Sequence, residues 1–497
     1  MKKITLSLLT TIFIILILGC CNTQHSFRTP RPQLIDALKH IEDSTLKDMY
    51  SFLMCNSVYH YGISKTLYNA NNEEASDSLY IGFNNGPEFI AYLQNKQYHY
   101  SIGDTIWDCD TLTAEFLFQN IEYAIKAWNK PWTRHYTYND FKNYILPYRN
   151  LDEPLSNWRQ TLYEKYIPII ENSDIDTTSS SKVAKFLLTQ LKSEVGYSLS
   201  MGGFYPNFLD YKESEKIHFM ECQALAHYGT QVLRACGVAC STIEIHWRMT
   251  EGVHYSIIIY PQTTEESIFR MSIYDDSIRI KHPKDSMASW KTWEKKFEMA
   301  KQNNITELIS CTHDITIPLP NEIKNTDSIF LCRFYRKEWI PIDSTETINH
   351  EVNFKNVTIR NLYSLGLQKN DSITQYGFPF TILGNGQILT YNSSGDTALV
   401  EIPYNCSKDE RRKMRIIKTF FYNSKEEWEP IWADGILWGY NEEQNHYAIW
   451  DEDSIGYIPV FHLASFKIPK WSIIYDEFWK RPIAFPADST NSSFWGF

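Results

Sequence analysis

Between His218 and Asp276 the hydrophobic period of the chain changes twice. Cys222, Leu225, Ala226, Gly229, Leu233 and Cys236 recur at helical spacing, and the stripe stops at Gly237, the residue type best suited to a left-handed helix end. This predicts a buried helix with Cys222 in its first turn. Alternation then takes over and predicts strands at Ser241–Trp247, His254–Tyr260 and Phe269–Asp275. In the last of these, Phe269, Met271, Ile273 and Asp275 share the more apolar face, whereas Arg270, Ser272, Tyr274 and Asp276 share the other. Asp275 is therefore favoured over Asp276 as the carboxylate turned toward the helix.

Elsewhere the patterns divide the chain. From Pro32 to about residue 176 the period is mainly helical: Leu34, Leu38, Ile41 and Leu46 to Leu53 mark one amphipathic stretch. Leu117, Ile121, Ala124, Ile125 and Trp128 mark another behind a Thr113 cap, ended by Pro131. A Ser/Thr-rich break at Thr177 to Ser181 precedes a short helix at Val183 to Leu191. Ser289 to Ala300, with Trp290, Trp293, Phe297 and Met299, reads as an amphipathic helix. Beyond Cys311 short alternating runs separated by Pro, Gly and Asn dominate, which predicts one or two antiparallel β-sandwiches. The expected fold class is α+β: a helical region at 32–176, a core at 177–310 with an antiparallel sheet, and a β-rich region at 311–497.

The order Cys on a helix start, His on a strand start and Asp on a strand end is what a thiol nucleophile requires. The thiolate is the reactive form, a helix N-terminus and an imidazolium favour it, and a carboxylate can orient the imidazole. Cys222, His254 and Asp275 are the candidate catalytic residues. His218, four residues before Cys222 and near its helical face, is a rival base, whereas His227 is off-face and His246 reads as a packed strand residue. Glu221 beside the thiol tends to raise its pKa by like-charge repulsion. The Gly202-Gly203 turn before Phe204 fits either an oxyanion-site loop or an aromatic core anchor.

Composition narrows the partners. A formal charge of -11 argues against a nucleic-acid partner, which needs a basic surface. With 43% hydrophobic residues the chain has ample material for buried cores. No cofactor is expected: Cys236 and Cys240 lack the paired ligands of a zinc site, and no run of acidic ligands forms a calcium loop. The ten cysteines are irregularly spaced in a chain too large to depend on disulfides. The N-terminus has the basic and apolar parts of a secretory signal over residues 1–19. The seven tryptophans from Trp428 to Trp495 fit packed sheet cores, with stacking on sugar rings as the alternative.

Three segments carry resemblances. Leu233-Arg234-Ala235-Cys236-Gly237-Val238-Ala239 after Cys222, with His254-Tyr255-Ser256 further on, resembles the transglutaminase-like superfamily. In that family a Cys-bearing helix packs on a small antiparallel sheet bearing His and then Asp, in a papain-like fold. Here Glu221 stands where that family has Gly, and Ser256 where it has an aromatic. Tyr144-Ile145-Leu146-Pro147-Tyr148-Arg149, then Glu153-Pro154-Leu155 and Trp158-Arg159, resembles a segment preceding such cores in large lipoproteins of gut-type bacteria; its aromatics and Arg149 suit a buried structural joint. Ile17-Leu18-Gly19-Cys20 resembles a lipobox, which implies lipidation of Cys20, a tether over residues 20–31, and an envelope location on a membrane anchor. The resemblance implies a cysteine-dependent amide or peptide hydrolase, or acyl transferase, acting on a peptide, protein or glycopeptide. The alternative is a catalytically silent scaffold whose β-rich region binds surface glycan or protein.

Overall fold

The computed structural model describes residues 28–75, 83, 86–197, 211–216, 219–247, 253–260, 269–271, 278–280, 289–320, 323, 328–335, 338–359, 361–369, 372–390 and strand segments between 399 and 484. Cys20, the Gly202-Gly203 turn, His218, Asp275 and Asp276 lie outside the described residues. The architecture is mixed α+β, with antiparallel sheets apart from a short parallel pair at Gly196–Tyr197 and Phe219–Met220. Its contacts cluster into two units: one comprises the chain to residue 245 with 254–282 and 293–304, and the other comprises 246–253, 283–292 and 305–497.

The first unit is built around the helix Cys222–Ala235, which packs against the helices Ala114–Trp128, Trp158–Glu171 and Ser180–Glu194. These helices start where the sequence supplies an acceptor: Thr113 and Ser179 each accept a backbone N–H of the first turn. Leu187, Leu188, Leu191, Leu225, Val232 and Leu233 join one hydrophobic cluster with Leu162, Tyr166 and Ile257. Helices on both sides of residue 176 thus share one core. Each fully buried aliphatic side chain there stabilises the fold by about 1.5–3 kcal/mol. Within the mainly helical stretch, Tyr61–Tyr68 and His99–Trp107 pair as an antiparallel ribbon. The second of these strands is exposed along nearly its whole length, with Ile102 and Ile106 of its alternate positions turned outward.

The six-stranded sheet has the order Gln302–Asn304, Ser289–Lys295, Cys240–Trp247, Val253–Ile259, Phe269–Met271, Ile278–Ile280. The amphipathic helix expected at Ser289 to Ala300 is instead the strand Ser289–Lys295 followed by a 3-10 turn at Glu298–Ala300. Trp290, Thr292 and Trp293 favour an extended backbone, and pairing of Lys295 with Gln302 and of Trp293 with Asn304 closes a hairpin. Met299, expected on an apolar face, is exposed at the turn.

In the second unit, Thr312–Pro318 pairs with Glu351–Thr358, and a five-stranded antiparallel sheet runs Glu338–Glu346, Ser328–Tyr335, Tyr363–Lys369, Ser372–Ile382, Ile388–Thr390. Ile315, Val352 and Phe354 of the pair share a core with Ile329, Leu331, Tyr363 and Phe380 of the sheet. Further strands from Leu399–Pro403 to Arg481–Ala484 continue the β-rich pattern.

Candidate functional site

Cys222 is the first residue of its helix, and Glu221 is the N-cap. The Glu221 carboxylate accepts the N–H groups of Gln223 and Ala224, each at 2.9 Å, which satisfies two of the donors that a helix start leaves open. The Cys222 thiol donates to Glu221 Oε2 at 3.3 Å. The backbone of Tyr255 also acts on the Cys222 thiol, pulling its pKa down against burial. Tyr255 belongs to the Val253–Ile259 strand, so the start of the helix lies near that strand.

Gly229 permits this approach. A Cβ there would stand 2.7 Å from Ile257 Cδ1, so the helix meets the strand through a residue with no side chain. The same contact turns Ile257 toward the helix. By alternation Tyr255 shares that face, and its hydroxyl donates to Glu244 Oε2 at 3.3 Å. His254 directly precedes Tyr255 on this strand. It is buried, and alternation sets it on the face opposite Tyr255 and Ile257. Cys222 is thus brought together with Glu221, whereas His254 faces away from the side of the strand that meets the helix, one residue before Tyr255. Burial, reinforced by the Glu221 charge, pushes the Cys222 thiol up to about 12, against the opposing pull of the Tyr255 backbone. At rest the sulfur is a protonated, hydrogen-bonded thiol.

The other side of the same helix carries a feature that the apolar stripe concealed. Gln223, His227, Thr230, Gln231 and Arg234 recur at helical spacing and are all buried, so the helix is enclosed on a polar face as well as an apolar one. That polar face meets the Tyr144 to Arg159 segment. Arg149 pairs with Asp108 through two hydrogen bonds, Nε to Oδ2 at 2.6 Å and a shorter one from Nη2 to Oδ1. The Tyr148 hydroxyl also donates to Asp108, at 3.1 Å. Glu153 accepts the N–H groups of Asn150 and Leu151 at 3.0 and 2.8 Å. The Asn150 amide donates to His227 Nδ1 at 3.2 Å and to Thr242 Oγ1 at 2.6 Å.

Arg234 donates to the carbonyls of Arg149 and Cys240, both at 3.1 Å. Arg159 donates to those of Ile145 and Pro147 at 2.7 and 2.8 Å, and to Asn120 at 2.8 Å. Burial works to raise the Glu153 carboxyl, but the fields of His227 and Arg149 and the Asn150 amide hold it at about 2. Burial lowers His227. These groups are spent on one another and on backbone atoms, which makes them the structural joint that the aromatics and Arg149 implied. The signal for the joint was the density of Tyr, Trp and Arg in that segment; nothing in it announced Asp108, forty-one residues away, as the counter-ion.

Among the described residues no group of three or more His, Cys, Asp or Glu is placed to hold a metal ion, and no helix is long and apolar enough to cross a membrane. No protein-family model matches the chain, and no curated protein matches it.

Proposed function

We propose that the chain is a thiol-dependent acyl-transfer protein, an amide or peptide hydrolase or acyl transferase, with Cys222 as nucleophile in a transglutaminase-like, papain-like core. The observation that carries this reading is the placement of Cys222 as the first residue of a fourteen-residue helix, with a buried His254 on the neighbouring strand of the same core. The helix N-terminus favours negative charge on sulfur once it forms. In the proposed step the thiol proton passes to His254, sulfur bonds to the carbonyl carbon, and the carbonyl π pair moves to oxygen. Collapse expels the amine, which takes the proton from the imidazolium, and water or a second amine then cleaves the thioester. Asp275 orients the imidazole. The protein works at the cell envelope on a peptide, protein or glycopeptide, held to the membrane through lipidated Cys20, with its β-rich region forming one or two sandwiches. Neither a cofactor nor a nucleic acid takes part.

One observation favours a second reading: the Cys222 thiol is hydrogen-bonded to the Glu221 carboxylate at 3.3 Å, which with burial makes it a poor resting nucleophile, as in a silent scaffold whose β-rich region binds surface glycan or protein. Labelling with peptidyl acyloxymethyl ketone probes separates the two. The catalytic reading expects modification at Cys222 that is lost in Cys222→Ala and falls at least about a hundredfold in His254→Ala, the scale of general-base catalysis. Equal labelling of the wild type and His254→Ala supports the scaffold.

A further inference from the structure

The Glu221 carboxylate is fixed where a substrate has to arrive. Its two oxygens accept the Gln223 and Ala224 amides and the Cys222 thiol, so it cannot swing away without uncapping the helix. Among the described residues no cationic side chain pairs with it, in contrast to Asp108, which pairs with Arg149 at the joint. A carbonyl carbon placed for attack at about 3–3.5 Å from the sulfur brings its own substituents within a few ångströms of this charge. Losing the thiol proton to an imidazole would leave two negative groups side by side, one on sulfur and one on Glu221, an arrangement each disfavours in the other. A positive group on the arriving molecule offsets one of them and competes with the thiol for the carboxylate.

We propose that Glu221 selects the substrate and gates the thiol: it holds Cys222 protonated at rest and favours acyl donors bearing an amine or guanidine beside the reacting carbonyl. The inference rests on the thiol acyl-transfer reading, and it names the substrate class of that site as cationic. Burial and the Glu221 charge both push the thiol up, consistent with a closed resting state.

The test uses methanethiosulfonates of three charges on the full chain: cationic trimethylammonioethyl, neutral methyl and anionic sulfonatoethyl. Each reaction is an exchange in which the thiolate displaces methanesulfinate to give a mixed disulfide while the thiol proton goes to solvent. Neither His254 nor turnover is needed, so the outcome stands apart from that of the acyl-probe experiment. Rates are read at the Cys222 peptide by mass spectrometry, with Cys222→Ala as background. With each rate divided by that reagent's rate on a small free thiol, the cationic reagent is expected to outpace the anionic one by at least about tenfold in the wild type. Glu221→Ser keeps a capping oxygen and Glu221→Gln keeps the size; both are expected to bring the ratio close to one and to speed the neutral reagent. A wild-type ratio near one overturns the proposal by itself, and so does a ratio unchanged in either variant whose melting temperature matches the wild type.

Discussion

Two buried carboxylate sites flank one helix and do opposite things with their charge. At the joint, Asp108 meets Arg149, and Glu153 is held by two backbone amides near the same guanidinium, so the negative charges are absorbed into cohesion. At the helix start, Glu221 is held by two amides and a thiol, and its charge falls on the candidate nucleophile. The first arrangement fixes the fold. The second leaves a charge with no cationic partner among the described residues beside a partly exposed cysteine, where an incoming group can respond to it. A buried carboxylate is therefore read by its partners rather than by its burial.

The largest expected effect comes from breaking the joint. Arg149→Met leaves Asp108 without its cation in a sealed interior, and a loss of about 3–5 kcal/mol is expected in chemical denaturation. An unchanged midpoint would mean that the charges are not coupled as drawn. Acid provides the next test. Burial and the Arg149 charge hold His60 at about 3, while its Nε2–H donates to the Phe297 carbonyl at 2.8 Å. The unfolded chain takes up that proton near pH 6.5, so between 6.5 and 3 the unfolded state binds more protons and stability falls as the pH is lowered. Above 6.5 this group contributes no slope. Glu153 adds a second window, since its stabilisation is present above about 4.5 and is lost as the pH drops toward 2. Unfolding free energies measured from pH 7.5 to 5 should decline in the wild type, with His60 contributing up to about 1.4 kcal/mol per unit, and decline less steeply in His60→Gln.

The smallest effect probes the end of the helix that the two sites share. Gly237 has φ of +79°, and a Cβ there would stand 2.5 Å from the Ala127 carbonyl oxygen. Gly237→Ala is expected to cost about 1–3 kcal/mol by thermal melting while leaving thiosulfonate exchange at Cys222 unchanged.

How much of this was legible in the chain differs between the two sites. The helix from Cys222 and its stop at Gly237 followed from spacing and one glycine, because a buried helix and its left-handed end are local matters. The strands at 240–247 and 253–259 followed from alternation. Glu221 was visible as a neighbour of the thiol, but not as the helix cap, since capping depends on where the backbone turns. The polar stripe from Gln223 to Arg234 has no counterpart in the apolar spacing and is buried, because its partners come from residues 149 to 159 and Thr242. The segment at 289–300 carried aromatics at positions compatible with a helix, and pairing with Gln302–Asn304 decided it for a strand.

Acyl transfer at Cys222 is tested most directly by trapping the acyl group. After exposure of the full chain to p-nitrophenyl acetate, peptide mass spectrometry with and without hydroxylamine should find a hydroxylamine-labile acetyl group on Cys222 that forms far more slowly in His254→Ala. An acetyl group mapped to other cysteines, or formed on Cys222 at the same rate without His254, would contradict it.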